Sequence, residues 1–392
     1  MKKLMRLLLP LGAAVLTTAC QCTQQELLLA EFTGNVQDDV YLTMIPLTET
    51  DSVFTDTIAL QDGRLVLDME VSSPTEVTLE LGKDRKAYGR RRPAASEAYR
   101  INFLLQPGEK VRVKANYEEN FLKYELLGSK ALKAQSDLRN QMRAQYVRLG
   151  VLYDQIVEAM KNGVENADEA YVDSLYEAYG QANIQKAESA LRYIKANTDQ
   201  LLSAFLLLKH PDRDTFLNYL PVLDSSVLKG AMAERMEQVR RNAEHMCLVR
   251  QNEEKLAPGA SAPDFTLYDL NGKAVSLSDF SKRYVVLDFW GTWCPWCVKG
   301  VPQMKEYYAK HKGKVTFISI ACRDHIEKVK AFVQKENISW VNLMNGTDDA
   351  DVALMYGVSG YPTKILLAPG MKVQNRYLGE VPEFYQDLDN LQ

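Results

Sequence analysis

From about residue 28 to residue 117 apolar and polar positions alternate. Leu65, Leu67, Met69 and Val71 are separated by Val66, Asp68 and Glu70, and Val77, Leu79 and Leu81 repeat the device. Period two is the mark of strands with one buried face, so this stretch is predicted to be a mainly β domain. Gln61-Asp62-Gly63 and Gln106-Pro107-Gly108 supply its turns. A basic connection holding Lys83, Arg85, Lys86, Arg90, Arg91 and Arg92 reads as a solvated hairpin tip, with an anion or partner site as the alternative.

After Gly128 the period changes. Leu138, Met142, Tyr146, Leu149, Leu152, Ile156 and Met160 step by three or four and predict a helix that ends at Asn162-Gly163. A second stripe runs through Tyr171, Leu175, Ala178 and Ala182, and further apolar helical pieces cover 201–208 and 228–249. Residues 129–252 are therefore expected to form a helical domain whose Tyr and Met stripes are core. Pro258-Gly259-Ala260-Ser261-Ala262-Pro263 reads as an interdomain linker, which is placed at 253–263. Beyond it strands at 284–290, 315–321 and 364–367 alternate with helices at 298–311 and 326–335, the pattern of an α/β domain over 264–392. The fold class is thus multidomain α+β, with a β domain over 28–128, a helical middle domain and a C-terminal α/β domain.

Composition narrows the function. Across 392 residues, Lys+Arg 47 against Asp+Glu 51 gives 47 − 51 = −4, which offers no electrostatic footprint for nucleic acid. At the start of the chain Lys2, Lys3 and Arg6 precede the apolar run Leu7 to Leu16, and Thr17-Thr18-Ala19 leads into Cys20. That order is the layout of a secretory signal, 1–20, and the run is about half of what spans a bilayer. Small residues before a cysteine resemble the bacterial lipoprotein processing site, which makes Cys20 the candidate for lipidation. Thr17 stands where Leu is commonest, so cleavage without lipid is the alternative. Either route carries the chain to the periplasm or cell envelope, where cysteines meet oxidising conditions.

Six cysteines are too few for a disulfide scaffold, so placement matters more than number. In Trp293-Cys294-Pro295-Trp296-Cys297 the first thiol falls where a buried strand ends and a helix begins, so unpaired N–H groups favour its thiolate. Two intervening residues put Cys297 one turn further on, within reach of a mixed disulfide at Cys294. Pro302 lies inside the same helical pattern and should kink it. Gly360-Tyr361-Pro362-Thr363 precedes a strand, and a cis proline there would set the Tyr361 backbone beside the dithiol as a dock for substrate peptide. Asp288 sits within Val285-Val286-Leu287-Asp288-Phe289-Trp290; burial would raise its pKa and suit it to accept the proton of Cys297, with a purely structural buried acid as the alternative.

Together, Ala262-Pro263-Asp264-Phe265-Thr266-Leu267, Gly272-Lys273-Ala274-Val275-Ser276-Leu277, the run from Leu287 to Cys297 and Gly360-Tyr361-Pro362-Thr363 resemble the TlpA/ResA-like thioredoxin-fold disulfide oxidoreductases over roughly the last third of the chain. The resemblance implies a thioredoxin fold with Cys294 as nucleophile, Cys297 as resolving thiol, Pro362 as cis proline and Asp288 as buried acid. Around the dithiol, Trp293, Pro295, Trp296, Tyr361 and Pro362 are the candidate substrate contacts. The partners that the resemblance implies are disulfide-containing exported proteins and a membrane or periplasmic electron donor, with no cofactor. The Cys-Pro-Trp-Cys centre differs from the commoner Gly-Pro one, so the potential is not implied. Residues 28 to about 130, with Gln106-Pro107-Gly108-Glu109 and Leu127-Gly128-Ser129, resemble the β domain that precedes such modules in envelope proteins of Bacteroidetes.

Three other readings stand beside this one. Zinc needs two further ligands at matching spacing, and His245-x-Cys247 lies in another expected domain, so no metal is assigned. A peroxidatic cysteine of peroxiredoxin type wants Thr three residues earlier, where Gly291 stands. The chain could instead be an envelope binding or scaffold protein whose C-terminal module is regulatory. Cys247 and Cys322 read as packed thiols, with a bridge between them as the alternative.

Overall fold

The computed structural model describes residues 28–33, 39–48, 53–67, 70–81, 97–118, 121–160, 168–347 and 350–391. The expected signal segment with Cys20 and Cys22, and the basic connection 83–92, lie outside the described residues. The chain forms two compact units, Met1–Arg241 and Asn242–Gln392.

Among the described residues of the first unit, eight strands form two four-stranded sheets. They are β1 (Leu28–Thr33), β2 (Val40–Pro46), β3 (Phe54–Ile58), β4 (Arg64–Leu67), β5 (Thr75–Leu81), β6 (Arg100–Leu105), β7 (Val111–Glu118) and β8 (Phe121–Leu127), in orders β4-β1-β7-β8 and β3-β2-β5-β6. Alternate residues of each strand point inward, and Leu28, Ala30, Leu65 and Val113 from one sheet share a core with Val40, Leu42, Val77 and Phe103 from the other. The helices follow: α1 (Lys130–Gln141), α2 (Arg143–Ala159), α3 (Glu169–Ala196), α4 (Leu201–Leu208), α5 (Arg213–Tyr219), α6 (Ser225–Leu228) and α7 (Ala233–Lys255). Ser129 starts α1 by accepting a hydrogen bond from the Leu132 N–H. The stripe from Leu138 to Met160 is not one helix, because Met142 leaves helical geometry (φ −92°, ψ 14°) and separates α1 from α2. A single such residue barely turns the apolar face, so hydrophobic spacing does not register the break.

The unit boundary falls within α7, and its last turns belong with the C-terminal unit. Asn252 donates to the Leu354 carbonyl at 2.9 Å. A Cβ on Gly357, whose φ is +62°, would overlap the backbone of Glu253. The expected linker is likewise held within this unit: Gly259 and Ala262 donate to the carbonyls of Val373 and Met371, and Val373 donates to that of Ala260.

That second unit is built on a seven-stranded sheet. Its strands are β9 (Thr266–Asp269), β10 (Ala274–Ser276), β11 (Tyr284–Trp290), β12 (Val315–Ala321), β13 (Val341–Met344), β14 (Thr363–Ala368) and β15 (Lys372–Leu378), ordered β10-β9-β13-β12-β11-β14-β15. Helices α8 (Pro295–His311), α9 (Ile326–Lys335), α10 (Val352–Met355) and α11 (Pro382–Asp389) connect or follow them. The centre of the sheet is covered on both faces, which is why β11 reads as an almost continuous apolar run. Val285, Leu287 and Phe289 join one core with Ile318, Ile320 and Ile365, while Val286 joins the other with Phe317, Leu366 and Phe384. β11 pairs in parallel with β12 and antiparallel with β14, and this register sets Asp288 beside both Ser319 and Lys364. The fold is the mixed α+β class read from the sequence, with the thioredoxin-type arrangement in its last third.

Candidate functional site: the Cys294–Cys297 centre

β11 delivers the chain to Gly291, and α8 begins at Pro295, three residues before the apolar periodicity alone suggests. Proline at the first helical position lacks an N–H that would be an orphan there, and its ring presets the helical φ. Cys294 is the cap: its sulfur accepts a hydrogen bond from the Cys297 N–H at 3.1 Å. A sulfur so placed faces the positive end of the helix, which stabilises negative charge developing on it. Cys294 and Cys297 are joined as a disulfide with 5.3 Å between Cα atoms, and both are nearly buried, at 4% and 5% exposure.

The residues expected around this pair separate into exposed and buried sets. Trp296 is 63% exposed and Trp293 47%, and Pro295 is exposed as well. The Trp293 indole donates to the Cys322 carbonyl at 2.9 Å and meets the Tyr361 ring edge-on at 5.3 Å between centroids. The Tyr361-Pro362 peptide is cis. Pro362 is buried, and the half-buried Tyr361 packs against the apolar cluster that includes Cys294 and Cys297. Asp324, absent from the sequence reading, accepts from the Thr292 N–H at 2.6 Å and holds the loop that precedes Cys294. That bond and those of its own turn keep its carboxyl below the usual range, against the opposing effect of burial.

Asp288 lies beneath the disulfide in a polar pocket of the core. Ser319 Oγ donates to its Oδ2 at 2.9 Å, and the Trp340 indole donates to Ser319 Oγ at 2.8 Å. Lys364 Nζ is 3.7 Å from Asp288 Oδ1, an ion-pair distance that leaves Oδ1 without a hydrogen-bond donor. Burial pushes the Asp288 carboxyl above its ordinary range, and the Lys364 ammonium and the Ser319 hydroxyl offset part of that rise. Asp288, Cys297, Trp290, Lys364 and Glu380 together line a cavity of about 10 Å³. That is close to the room one water molecule needs.

Lys364 and Glu380 belong to this cluster although periodicity does not single them out. Lys364 is the second residue of β14, buried to 2% side-chain exposure, and its Nζ is 2.5 Å from Glu380 Oε1. Glu380 follows β15 through Gly379, which adopts φ +85° and donates its N–H to the Pro362 carbonyl at 2.8 Å. The turn thereby folds the Glu380 carboxylate back over Lys364. A lysine on the inner face of an otherwise apolar strand was the signal available in the sequence, since a buried ammonium needs an acid.

Cys247 and Cys322 form no disulfide; Cys322 is buried, and burial pushes its thiol up to about 12. Among the described residues no cluster of His, Cys, Asp and Glu is placed to hold a metal ion, and no helix is long and apolar enough to cross a membrane.

Known proteins match the same stretch. Residues 258–376 match the AhpC/TSA family. Over 130 residues the chain is 38% identical to the thiol-disulfide oxidoreductase ResA of Bacillus thuringiensis, covering 33% of this chain and 73% of the relative. ResA of Bacillus subtilis is 33% identical over 131 residues, covering 33% and 72%. Among solved structures, the thioredoxin domain of a thiol-disulfide oxidoreductase from Bacteroides vulgatus is 32% identical, covers 34% of this chain and 96% of that one, and aligns with a TM-score of 0.32. A thiol-disulfide oxidoreductase from Bacteroides fragilis is 26% identical, with coverage of 34% and 99% and a TM-score of 0.32. The strand-to-helix dithiol, the proline loop and the buried acid fall inside the matched segment, and through it the chain belongs to the ResA-like thiol-disulfide oxidoreductases of the thioredoxin fold.

Proposed function

We propose that this chain is an exported reductase of protein disulfides, exchanging the Cys294–Cys297 dithiol with disulfide-containing proteins of the periplasm or cell envelope. The observation that carries this reading is Cys294 at the cap of α8, disulfide-bonded to Cys297 and flanked by the cis Tyr361-Pro362 loop. In the reduced protein the Cys294 thiolate attacks one sulfur of a substrate disulfide, and the other sulfur leaves as a thiolate that takes a proton from solvent. The substrate then lies covalently on Cys294, its backbone along Tyr361-Pro362 and its flanking side chains against Trp293, Pro295 and Trp296. Asp288 accepts the proton of Cys297, whose thiolate attacks Cys294 Sγ. The bond between Cys294 and the substrate breaks, the second substrate sulfur leaves, and the internal disulfide forms. Two electrons have moved from the dithiol to the substrate, so an electron donor in the same compartment must reduce the pair again. Retention at the membrane would come from lipid on Cys20.

Replacing Cys297 with Ala stops the cycle at the mixed disulfide. Non-reducing electrophoresis of cells expressing this variant should show adducts that dithiothreitol releases and that Cys294→Ser lacks. A folded Cys297→Ala protein that captures no protein overturns the exchange reading. The direction follows from the reduction potential: near −270 mV the pair is a reductant, near −120 mV a disulfide donor, and the second value would overturn the reductase assignment.

A further inference from the structure

We propose that Glu380 is a positioning residue for proton transfer from Cys297: by holding the Lys364 ammonium, it keeps Asp288 free to take the proton. The inference rests on the exchange reading above and adds a residue to it. Its basis is the unequal sharing of one buried cation. Lys364 Nζ is 2.5 Å from Glu380 Oε1 and 3.7 Å from Asp288 Oδ1, so the ammonium is engaged mainly by Glu380. Coulomb attraction falls with distance, and at the reduced dielectric of a largely buried site the difference counts for more than it would in water. Without the Glu380 carboxylate the ammonium would close on Asp288, stabilise it as an anion and make it a poorer base.

Gly300 makes this arrangement fit. It lies one turn beyond Cys297 on the same face of α8, and any Cβ built on it would overlap the Glu380 carboxyl group. The absent side chain is therefore the space through which a carboxylate carried by the β15–α11 connection reaches the interior beside Cys297. The other groups facing the cluster are accounted for. Tyr385 of α11 donates to Glu380 Oε2 at 3.1 Å, Ser319 of β12 donates to Asp288, and Trp340 donates to Ser319. Cys297 of α8 lines the cavity that Asp288, Lys364 and Glu380 share. In the step concerned the Cys297 proton passes to Asp288 and the sulfur's electron pair forms the bond to Cys294 Sγ. The electron pair of the broken bond to the substrate leaves on the substrate sulfur, which is protonated by solvent.

The test uses the reduced full chain, with Asp288 followed by carboxyl carbon NMR as pH is varied, and the resolving step timed by tryptophan fluorescence after mixing with glutathione disulfide. Glu380→Gln should lower the Asp288 midpoint by about one unit. It should also slow resolution at pH 7 by about threefold, because rate follows the strength of the base only in part. Gly300→Ala, which pushes the carboxylate aside without removing its charge from the protein, should move the midpoint in the same direction. Thermal unfolding establishes that each variant is folded, and either folded variant carries the measurement. A midpoint that stays in place or rises overturns the proposal. Titration needs no turnover, so a wild-type chain inert to glutathione disulfide would instead refute the exchange reading.

Discussion

Lys364→Met removes the ammonium that faces both Asp288 and Glu380 while keeping a side chain of similar length. The Lys364 side chain is 2% exposed, Asp288 11% and Glu380 18%, so the two carboxylates left behind could not simply hydrate. Removing one partner of a buried ion pair costs about 3–5 kcal/mol. Glu380 keeps some access to water and Asp288 can protonate, which places the loss near the lower end, about 3 kcal/mol at pH 8. Burial raises Asp288 and Lys364 opposes the rise, so the variant raises it further. A group bound more tightly to its proton in the folded state stabilises fully below its unfolded pKa and loses that contribution as pH climbs through its folded pKa. The deficit of Lys364→Met should therefore be largest at pH 8 and shrink as pH falls toward the ordinary carboxylate range. Urea unfolding at pH 8 and pH 5 reads this directly. All four tryptophans, Trp290, Trp293, Trp296 and Trp340, lie in the C-terminal unit, so fluorescence reports that unit alone. A loss below about 1 kcal/mol at pH 8, or an equal loss at both pH values, would refute the reasoning.

Two further substitutions probe the same unit. Asp288→Asn removes a carboxyl whose pKa is raised by burial, so it should stabilise the unit at pH 7 to 8, with the gain vanishing in acid, while slowing release of the mixed disulfide; urea midpoints and stopped-flow rates check both. Gly357→Ala places a Cβ against the Glu253 backbone at φ +62°, and should cost about 2 kcal/mol from left-handed strain and the clash, read as a lower urea midpoint without a change in redox potential.

The elements that carry the site were largely legible. Tyr284–Trp290, Val315–Ala321 and Ile326–Lys335 have the limits that their apolar spacing predicts, because each is bounded by turn or capping residues within the sequence itself. The short strands β9, β10 and β13 were not legible: three or four residues are too few to show a period. The start of α8 was obscured because its cap is a cysteine, outside the Ser, Thr, Asp and Asn set that normally announces a helix. Within the site, Cys294, Cys297 and Asp288 declared themselves by local context, a thiol pair at a strand end and an acid in an apolar run. Asp324 and Glu380 could not, since each acts through a contact with a segment distant in sequence, the loop at Thr292 and the strand at Lys364. Lys364 was visible only as an incongruous charge at the head of a strand.

Gly300 and Glu380 also constrain which amino acids this scaffold can exchange. A side chain on α8 at position 300 and a carboxylate arriving from position 380 claim the same volume, so the two positions are one choice written at two places in the chain. Substituting Gly300 alone displaces the Glu380 carboxylate, and shortening residue 380 alone empties the space that it fills. A chain that lacks an acid near its second cysteine in sequence can still possess one in space. Grafting this centre into another scaffold thus requires the turn after β15 together with the helix, because the helix brings only the opening.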